Sequence, residues 1–312
     1  MDSVIIPLIY IVLFPGFVFL SIYATLIQWV DRKLTAKIQN RIGPPIFQPV
    51  ADFIKLISKE IIIPDNADRL LFTSLPYVAM ASIITSLTMI PVTGKPLISF
   101  EGDIVVVIYL LTIPTATFFL AGWSSTSPYS TIGAMRVMTQ LFGYEVPLFL
   151  SAAGPAILAG SWSIYEISRY FASKPIMIFL HIPSIIAALL ASQGKLERVP
   201  FDAPHAKNEV VGGQFTEYSG RLLAFFYLAI DIEMVVLAAL ISAVFFGGVG
   251  NLTGFDAFIV FVIKSFSICI ILTLFKALMA RVRVDQVVKF SWKYLVTLSI
   301  FQIILDLYIK LK

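Results

Sequence analysis

The sequence predicts an all-α, polytopic membrane protein with about eight transmembrane helices and one amphipathic helix at the cytoplasmic surface. Of its 312 residues, 58% are hydrophobic and only 13% are charged, whereas soluble domains are roughly half apolar and a quarter charged. The apolar residues fall in runs of about 18 to 28, the length at which a helix crosses the hydrocarbon core. Basic residues gather in alternate connections between these runs, as multi-pass chains require.

The apolar runs divide one membrane domain, residues 1–312, into successive helices. We predict them at about 4–29, 70–92, 103–122, 139–160, 176–193, 222–246, 256–279 and 290–310. The first run lacks a basic flank and a small-residue cleavage site, so we expect a retained helix and not a signal peptide. Proline residues inside the runs, such as Pro114 and Pro147, predict bends that neighbouring helices accommodate.

The basic residues also predict the orientation of the chain. Seventeen of the 23 Lys and Arg residues lie in connections on one side, which includes the long loop 194–221. Such an excess marks the cytoplasmic side, so we expect a plasma-membrane protein with both termini outside. The same bias explains the net charge of +4. We therefore predict that the protein is surrounded by a lipid bilayer and does not bind nucleic acid.

The first cytoplasmic connection contains the predicted amphipathic helix. Apolar residues recur at helical spacing from Phe47 to Ile57, while Asp52 and Lys55 share the opposite side. This pattern is typical of a helix that lies in the membrane interface.

Ionisable residues inside the apolar runs are the strongest candidates for function, because a charge at the bilayer centre costs at least about 2.5 kcal/mol. There are five: Glu145, Asp231, Glu233, Lys264 and Asp306. Buried carboxyls of this kind relay protons when they face a polar cavity, and we predict that role for the first three. The alternative for each carboxyl is a purely structural role, in which it forms a hydrogen bond to a neighbouring helix and relays no proton. We favour structural roles for Lys264 and Asp306, keeping Lys264 as a candidate for the ion path.

Metal, redox and catalytic chemistry are not predicted for this chain. The single cysteine, Cys269, lies within an apolar run, and the two histidines, His181 and His205, lie in different segments. No ligand set for zinc or an iron–sulfur cluster can be assembled from them. Any redox centre must therefore belong to another polypeptide.

The loop 195–221 is charged, yet it also contains Phe201, Val210 and Phe215, which favours a docking or cavity-lining surface.

Three segments of the chain resemble one known family, the membrane-arm connector of respiratory complex I and related energy-converting hydrogenases. Bacterial members are known as the H-type subunit, and other members are known as NADH dehydrogenase subunit 1. The matching segments are Gln39-Asn40-Arg41-Ile42-Gly43-Pro44, then Gln48-Pro49-Val50-Ala51-Asp52, and finally Pro200-Phe201-Asp202 with Glu209 and Glu217-Tyr218-Ser219-Gly220. They occur in the family's order and span nearly the whole chain.

The resemblance implies a subunit that joins a peripheral electron-transfer arm to an ion-translocating membrane arm and has no redox cofactor of its own. Iron–sulfur clusters, and in hydrogenases a nickel–iron centre, are then expected in partner subunits, with ferredoxin as the electron donor. Glu145 matches the family's fourth-span glutamate and would begin a charged path, which Glu209 would join. The peripheral-arm interface and coupling loop would comprise Arg41, Asp52, Asp202, His205, Lys207 and Glu217.

The sequence also departs from the quinone-using members of that family. Those members carry three acidic residues, E-x-E-x-E, where this chain has His205, Lys207 and Glu209. Their sixth-span glutamate falls at Ile230, with Asp231 one helical step away. These differences favour the ferredoxin-linked branch, which contains membrane-bound hydrogenases and sulfur-reducing complexes.

The sequence therefore predicts a non-redox membrane subunit that couples electron transfer to translocation of H⁺ or Na⁺. A quinone-site subunit is the alternative within the family, and it predicts an apolar tunnel between the amphipathic helix and spans one and six. A passive membrane anchor is a further alternative, although it would leave the buried charges unexplained. A stand-alone transporter is opposed by the absence of a repeat between the two halves of the sequence.

Overall fold

The structure is a computed structural model that describes residues 10–311, without the side chains of residues 207 and 208, and this part of the chain contains helices but no β-strand. The first seven helices, α1 to α7, are Phe17–Ile38, Gln48–Ile57, Arg69–Leu87, Asp103–Ser124, Pro128–Ala159, Ile164–Ser173 and Met177–Leu180. The remaining helices, α8 to α13, are Ile182–Lys195, Lys207–Val210, Gly220–Phe245, Phe255–Leu278, Val284–Phe290 and Thr297–Leu311. The predicted residues 4–9 lie outside the described range.

Seven helical segments within residues 10–311 are long and apolar enough to cross a membrane, which confirms the predicted all-α polytopic class. They are α1 with a preceding turn from Tyr10, α3, α4, α5, α10, α11, and the segment Val284–Leu311 that contains α12 and α13. The predicted span 176–193 is built differently. It consists of the short helices α7 and α8, which meet at His181.

Two helices begin well before the apolar runs that predicted them. α5 begins at Pro128, before the predicted 139, and the last segment begins at Val284, before 290. A proline at the first helical position needs no hydrogen-bond partner for its nitrogen, so it suits the start of α5. Both extensions are more polar than the runs they precede, and the apolar pattern therefore could not mark where these helices begin.

α10 is the central helix of the fold. In its most apolar stretch 89% of the residues are buried, and it packs against α1, α3, α6 and α11. A second group of packed helices consists of α5 with α4, α8 and α13. α8 also packs against α10, so three helices that carry ionisable residues, α5, α8 and α10, come together.

Two amphipathic helices lie outside the long spans. The predicted interfacial helix is present as α2, where Phe53 faces Phe225 of α10 at a centroid distance of 6.4 Å while Phe47 and Ile54 are exposed. α6 has no counterpart in our sequence prediction. It is short, and its apolar residues Ile164 and Phe171 are buried on one side.

Candidate functional site

A fully buried lysine lies at the meeting point of α5, α8 and α10. Lys195 is the last residue of α8 and is 0% exposed. Its Nζ lies 3.8 Å from Glu145 Oε2 on α5 and 3.9 Å from Glu233 Oε1 on α10. Its Nζ also lies 5.3 Å from the centroid of the Tyr144 ring. We refer to Lys195, Glu145 and Glu233 as the membrane triad.

Close packing between α5 and α8 brings the membrane triad together. Gly194 precedes the lysine, and a Cβ there would lie 3.1 Å from Cβ of Tyr144, so a small residue is needed at this contact. Tyr144 is itself fixed, because its hydroxyl donates to Thr115 Oγ1 on α4 at 2.9 Å. The lysine is therefore held between two well-anchored helices.

The contacts inside the membrane triad are electrostatic and longer than hydrogen bonds. Among the side chains that the structure describes, neither Lys195 Nζ nor the two carboxylate oxygens of Glu233 have a hydrogen-bond partner. Opposite charges about 4 Å apart still attract by about 4 kcal/mol at the effective dielectric constant typical of proteins. Such a group can exchange charge or protons with small movements, because no short bond must break.

A second, largely buried group lies at the start of the loop 194–221, two residues beyond Lys195. The Glu197 Oε2 atom lies 2.8 Å from His205 Nε2 and accepts a hydrogen bond from Gln214 Nε2, also at 2.8 Å. Glu197 has a φ of +50°, a left-handed conformation that a non-glycine residue rarely adopts. We refer to Glu197, His205 and Gln214 as the loop triad.

The loop triad is held against α5 by a close backbone contact. A Cβ at Gly133 would lie 2.6 Å from the backbone nitrogen of Gln214, so only glycine allows the loop to approach this closely. Gln140, further along α5 in the same interface, donates to the carbonyl oxygens of Gly194 and Phe201, both at 2.6 Å. The loop is thus fastened to the helices that carry the membrane triad.

A third buried ionic group joins α1, α11 and the loop. Asp31 is 3% exposed and lies 3.2 Å from Arg198 Nη1 and 2.7 Å from Lys276 Nζ. The Thr273 hydroxyl donates to Asp31 Oδ1 at 3.0 Å. Two cations contact one carboxylate here, so the group carries a net positive charge.

The structure brings together Glu145 and Glu233 among the predicted path residues, but it places Asp231 elsewhere. Asp231 accepts a hydrogen bond of 2.5 Å from Gln28 on α1. It lines a cavity of about 170 Å³ between α1, α2 and α10, together with Asp52 and Tyr227. This is the position at which the quinone alternative predicts a tunnel, and the cavity is smaller than the roughly 300–1,000 Å³ typical of small-molecule sites.

Of the predicted interface residues in the first connection, Asp52 lines that cavity. Arg32 Nη1 is 2.6 Å from Asp52 Oδ2, and Gln48 donates to Asp52 Oδ1 at 2.9 Å. The guanidinium of Arg32 beside Asp52 holds the pKa of that carboxyl below its usual value. Arg41 is exposed and Glu217 is partly exposed, so both are accessible at the surface.

Two ion pairs order the outer part of the loop 194–221. Glu209 Oε2 lies 2.5 Å from Arg136 Nη1 on α5, and Arg281 donates to both carboxylate oxygens of Asp202. Glu209, Arg136 and Arg281 line an open cavity of about 540 Å³ that also includes Arg283. Glu209 is thus paired at the surface, and the structure does not place it in the membrane triad. For Lys207 only the backbone is described.

The sequence favoured a docking or cavity-lining surface for the apolar residues of the loop. In the structure most of them are packed inside the protein, and Phe201 lines a cavity together with Pro200 and Phe290. Phe201, Val210 and Phe215 are at most 4% exposed. Tyr218 stacks on Phe72 of α3, with ring centroids 3.9 Å apart. These side chains fix the loop to the membrane domain because they bury apolar area. Val211, which is 57% exposed, is the exception.

Lys264 lies away from the carboxylates of the triads. Its Nζ donates to the carbonyl oxygens of Phe246 at 2.7 Å and Gly248 at 2.6 Å, just beyond the end of α10. A cation at a helix C-terminus satisfies orphan carbonyls and complements the helix dipole. Asp306 pairs with His181 in the α5–α8–α13 interface.

Sequence reasoning missed the centre of this site. Lys195, Arg198 and Glu197 were counted as residues of a cytoplasmic loop, and Asp31 was not singled out, yet all four are buried or nearly so. A basic residue at the end of an apolar run usually reaches the interface, so the sequence gives no sign that Lys195 turns inward. The described residues include no group of three or more His, Cys, Asp or Glu side chains that could hold a metal ion.

The fold and the site define a class of protein: a polytopic membrane subunit whose buried ionisable groups continue into the ordered loop 194–221. Comparison with known sequences is more specific, since the family described as NADH dehydrogenase matches residues 9–307. The chain belongs to this family and is therefore related to the membrane subunits of complex I-like respiratory assemblies.

Individual relatives and one solved structure agree with this assignment. The chain is 34% identical to the H-type subunit of the NADH-quinone oxidoreductase of Dehalococcoides mccartyi, covering 96% of this chain and 85% of the relative. It is 36% identical to the protein of the same name from Brevibacillus brevis, and the match covers 93% of this chain and 88% of that relative. One chain of an archaeal membrane-bound sulfane sulfur reductase, a respiratory membrane complex, superimposes with a TM-score of 0.84 at 27% identity. The superposition covers 93% of this chain and 96% of the reductase chain.

Proposed function

We propose that this chain is the non-redox membrane subunit of a ferredoxin-dependent respiratory complex, a membrane-bound hydrogenase or sulfur reductase, in which it couples electron transfer to H⁺ or Na⁺ translocation. The observation that carries the proposal is the membrane triad, in which Lys195 lies within 4 Å of both Glu145 and Glu233. Buried ionisable groups in a membrane are costly and mark ion pathways. The chain would lie in the plasma membrane with both termini outside.

The loop triad supplies a physical link between the peripheral arm and the membrane triad. Glu197 and Lys195 are two residues apart, so a displacement of the loop that moves Glu197 also moves the lysine. Moving Lys195 towards one carboxylate stabilises the charged form of that group and leaves the other to take up a proton. Reduction on the peripheral arm, transmitted through the loop, would in this way shift protons between Glu145 and Glu233.

The electron-carrying groups are proposed to reside on partner subunits. Cys269, the single cysteine of the sequence, is buried in α11, where it can serve as a ligand neither to a cluster nor to nickel on its own. The partners would provide the iron–sulfur clusters and, in a hydrogenase, a nickel–iron centre. Arg41, Asp52 and Glu217, at or near the surface, would contact the peripheral arm.

The choice of ferredoxin as donor, with no quinone bound, rests on two features. His205 occupies the first position of the family's acidic pattern and is paired with Glu197, so the loop carries less negative charge than in the quinone enzymes. The cavity beside Asp231 is also small. A quinone-site subunit remains the second candidate, favoured by the 34–36% identity with proteins named as parts of NADH-quinone oxidoreductases.

The coupling role is tested with the intact complex in proteoliposomes. Glu233→Gln removes the charge from one member of the membrane triad, and we expect electron transfer to continue while ion translocation per electron falls to below about a tenth of the wild-type value. Glu101→Gln, at an exposed site, is the matched control and should pump normally. Full pumping by Glu233→Gln in an assembled complex would contradict the proposal.

The donor and acceptor are tested separately with the same preparation. Reduced ferredoxin should drive turnover, and a short-chain quinone analogue should neither accept electrons nor protect the Asp231 cavity from labelling at an introduced Tyr227→Cys. Saturable protection together with quinone reduction would favour the second candidate.

A further inference from the structure

A second buried polar group lies at the end of α8 opposite Lys195. His181 and Asp306 are both 0% exposed, and His181 Nε2 lies 3.3 Å from Asp306 Oδ1. His181 immediately precedes α8, whose 14 residues span about 20 Å. One helix therefore carries a buried ionisable group at each end, and the proposed function uses only one of them.

The hydrogen-bond geometry fixes the tautomer of His181 in its neutral form. His181 Nδ1 lies 2.9 Å from the Met177 carbonyl oxygen, and because a carbonyl only accepts, Nδ1 carries a hydrogen. Nε2 lies 3.3 Å from Asp306 Oδ1 but has no hydrogen-bond partner among the described side chains. A proton taken up by this pair would bind at Nε2, giving an imidazolium beside the carboxylate, or at the carboxyl group. The pair thus offers a place for one additional proton.

Further buried oxygen atoms from α8 and α13 lie near Asp306. Among the side chains described between residues 10 and 311, Asp306 Oδ2, Gln302 Oε1 and Ser184 Oγ are buried without a hydrogen-bond partner. A Cβ at Gly154 of α5 would lie 2.7 Å from Asp306 Oδ2 and 3.7 Å from Ser184 Oγ, which shows that these atoms surround one point. Buried oxygens left unpaired by the protein can accept a hydrogen bond from a proton bound at this pair.

The surroundings connect the pair to one surface of the membrane domain. On the α6 side the rings of Phe171 and His181 pack perpendicular to each other, with centroids 5.0 Å apart. On α13, Lys310 lies one turn beyond Asp306, and its ammonium donates to the Ile157 carbonyl oxygen at 2.9 Å. The polar face of α13 thus continues from Gln302 through Asp306 to an exposed cation.

We propose that His181 and Asp306, assisted by Ser184 and Gln302, form a proton-binding site through which protons leave the α5–α8–α13 interface towards the surface at Lys310. The inference rests on the proposed function, since it assumes that the complex translocates ions. The transfer changes only N–H and O–H bonds: the pair gains one proton from the interior and releases one towards water beside Lys310.

The decisive variant replaces both partners by neutral amides, His181→Gln with Asp306→Asn. The two amides can hydrogen-bond to each other without a shared proton, so assembly and electron transfer should be retained. We expect protons translocated per electron, measured in proteoliposomes with a pH-sensitive dye, to fall to below about a tenth of wild type. Wild-type proton translocation in the assembled double variant would overturn the proposal and leave the pair a structural contact.

A smaller change gives a test that does not depend on the folding of the double variant. Gly154→Ala places a methyl group against Asp306 Oδ2, whereas Gly143→Ala on the same helix meets no atom closer than 3.6 Å. We expect only Gly154→Ala to reduce proton translocation, and equal translocation by both variants would overturn the proposal. Glu233→Gln, measured in parallel, separates the two hypotheses: if it also pumps normally, the proposed function fails as well.

Discussion

Lys195 and Lys264 both lie within the membrane domain, and their surroundings differ. Lys264 makes two hydrogen bonds of 2.6 and 2.7 Å to carbonyl oxygens beyond the end of α10, and no carboxylate within 4 Å is found among the described residues. Lys195 has the reverse environment, with two carboxylates at 3.8 and 3.9 Å and no described hydrogen-bond partner. The hydrogen bonds of Lys264 hold the backbone beyond the end of α10 in place. The longer contacts of Lys195 allow charge to shift between its two carboxylate neighbours. A buried lysine is therefore informative only once its partners are known.

The largest effect is expected from Lys195→Met. This change leaves the buried Glu233 and the partly buried Glu145 without a cation between them, and breaking a buried ion pair in this way costs about 3–5 kcal/mol. We expect the purified complex to lose thermal stability or this subunit to dissociate, as measured by Tm and by subunit content. Adding Glu233→Gln should restore part of the loss, because it removes one uncompensated charge. A fully stable Lys195→Met single variant would remove the contrast between the two lysines.

A smaller effect is expected from Lys264→Met, the matched substitution at the other lysine. It removes two hydrogen bonds from a charged donor and leaves carbonyl oxygens unpaired, which we expect to cost about 2 kcal/mol. Ion translocation per electron should stay at the wild-type value, since this lysine faces no member of the triads. A loss of translocation with unchanged Tm would place Lys264 in the ion path, as the sequence alone allowed.

The comparison extends to a cation at the surface of the protein. Arg281 pairs with Asp202 through two hydrogen bonds, but the arginine side chain is 39% exposed. Exposed pairs contribute at most about 1 kcal/mol, so Arg281→Gln should lower Tm only slightly. The same small change is expected for Asp202→Asn, and the double variant should show little further loss. An effect as large as that of Lys195→Met would mean that the pair is buried by a partner subunit.

The smallest effect concerns Asp52 and its dependence on pH. Because Arg32 lowers the pKa of the Asp52 carboxyl in the folded protein, the contact stabilises the fold above the usual aspartate pKa of about 3.9. That contribution should disappear as pH falls through the lowered folded-state value. Both side chains are more than a third exposed, so we expect less than about 1 kcal/mol. The Tm difference between wild type and Asp52→Asn, compared at pH 7 and pH 3, measures it.

Much of the architecture could be predicted because the bilayer imposes a simple rule on the sequence. Runs of apolar residues must cross as helices, and α4, Asp103–Ser124, begins at the predicted residue for this reason. The rule fails where a helix continues into polar residues, as at Pro128, or where a span is interrupted, as at His181. In those places the helix is stabilised by packing, which a one-dimensional pattern does not contain.

The candidate site was predictable only in part. The cost of burying a carboxyl identified Glu145 and Glu233, because they lie well inside apolar runs. Lys195 lies at the end of such a run, where lysines usually extend to the interface, and only the fold shows its side chain turned inward. His181 and Asp306 are separated by more than a hundred residues and meet through helix packing alone. Pairings of that kind require three-dimensional information.

The position of α8 has a mechanical consequence. This short rod carries the membrane triad at one end and adjoins the His181–Asp306 pair at the other. Tilting a rod about its midpoint moves its ends in opposite directions, and for a rod of about 20 Å a tilt of about 6° displaces each end by about 1 Å. A displacement that shortens the Lys195 contact to one carboxylate would therefore be felt at His181 in the same movement. A rigid tilt of α8 would thus couple the positions of the ionisable side chains at its two ends.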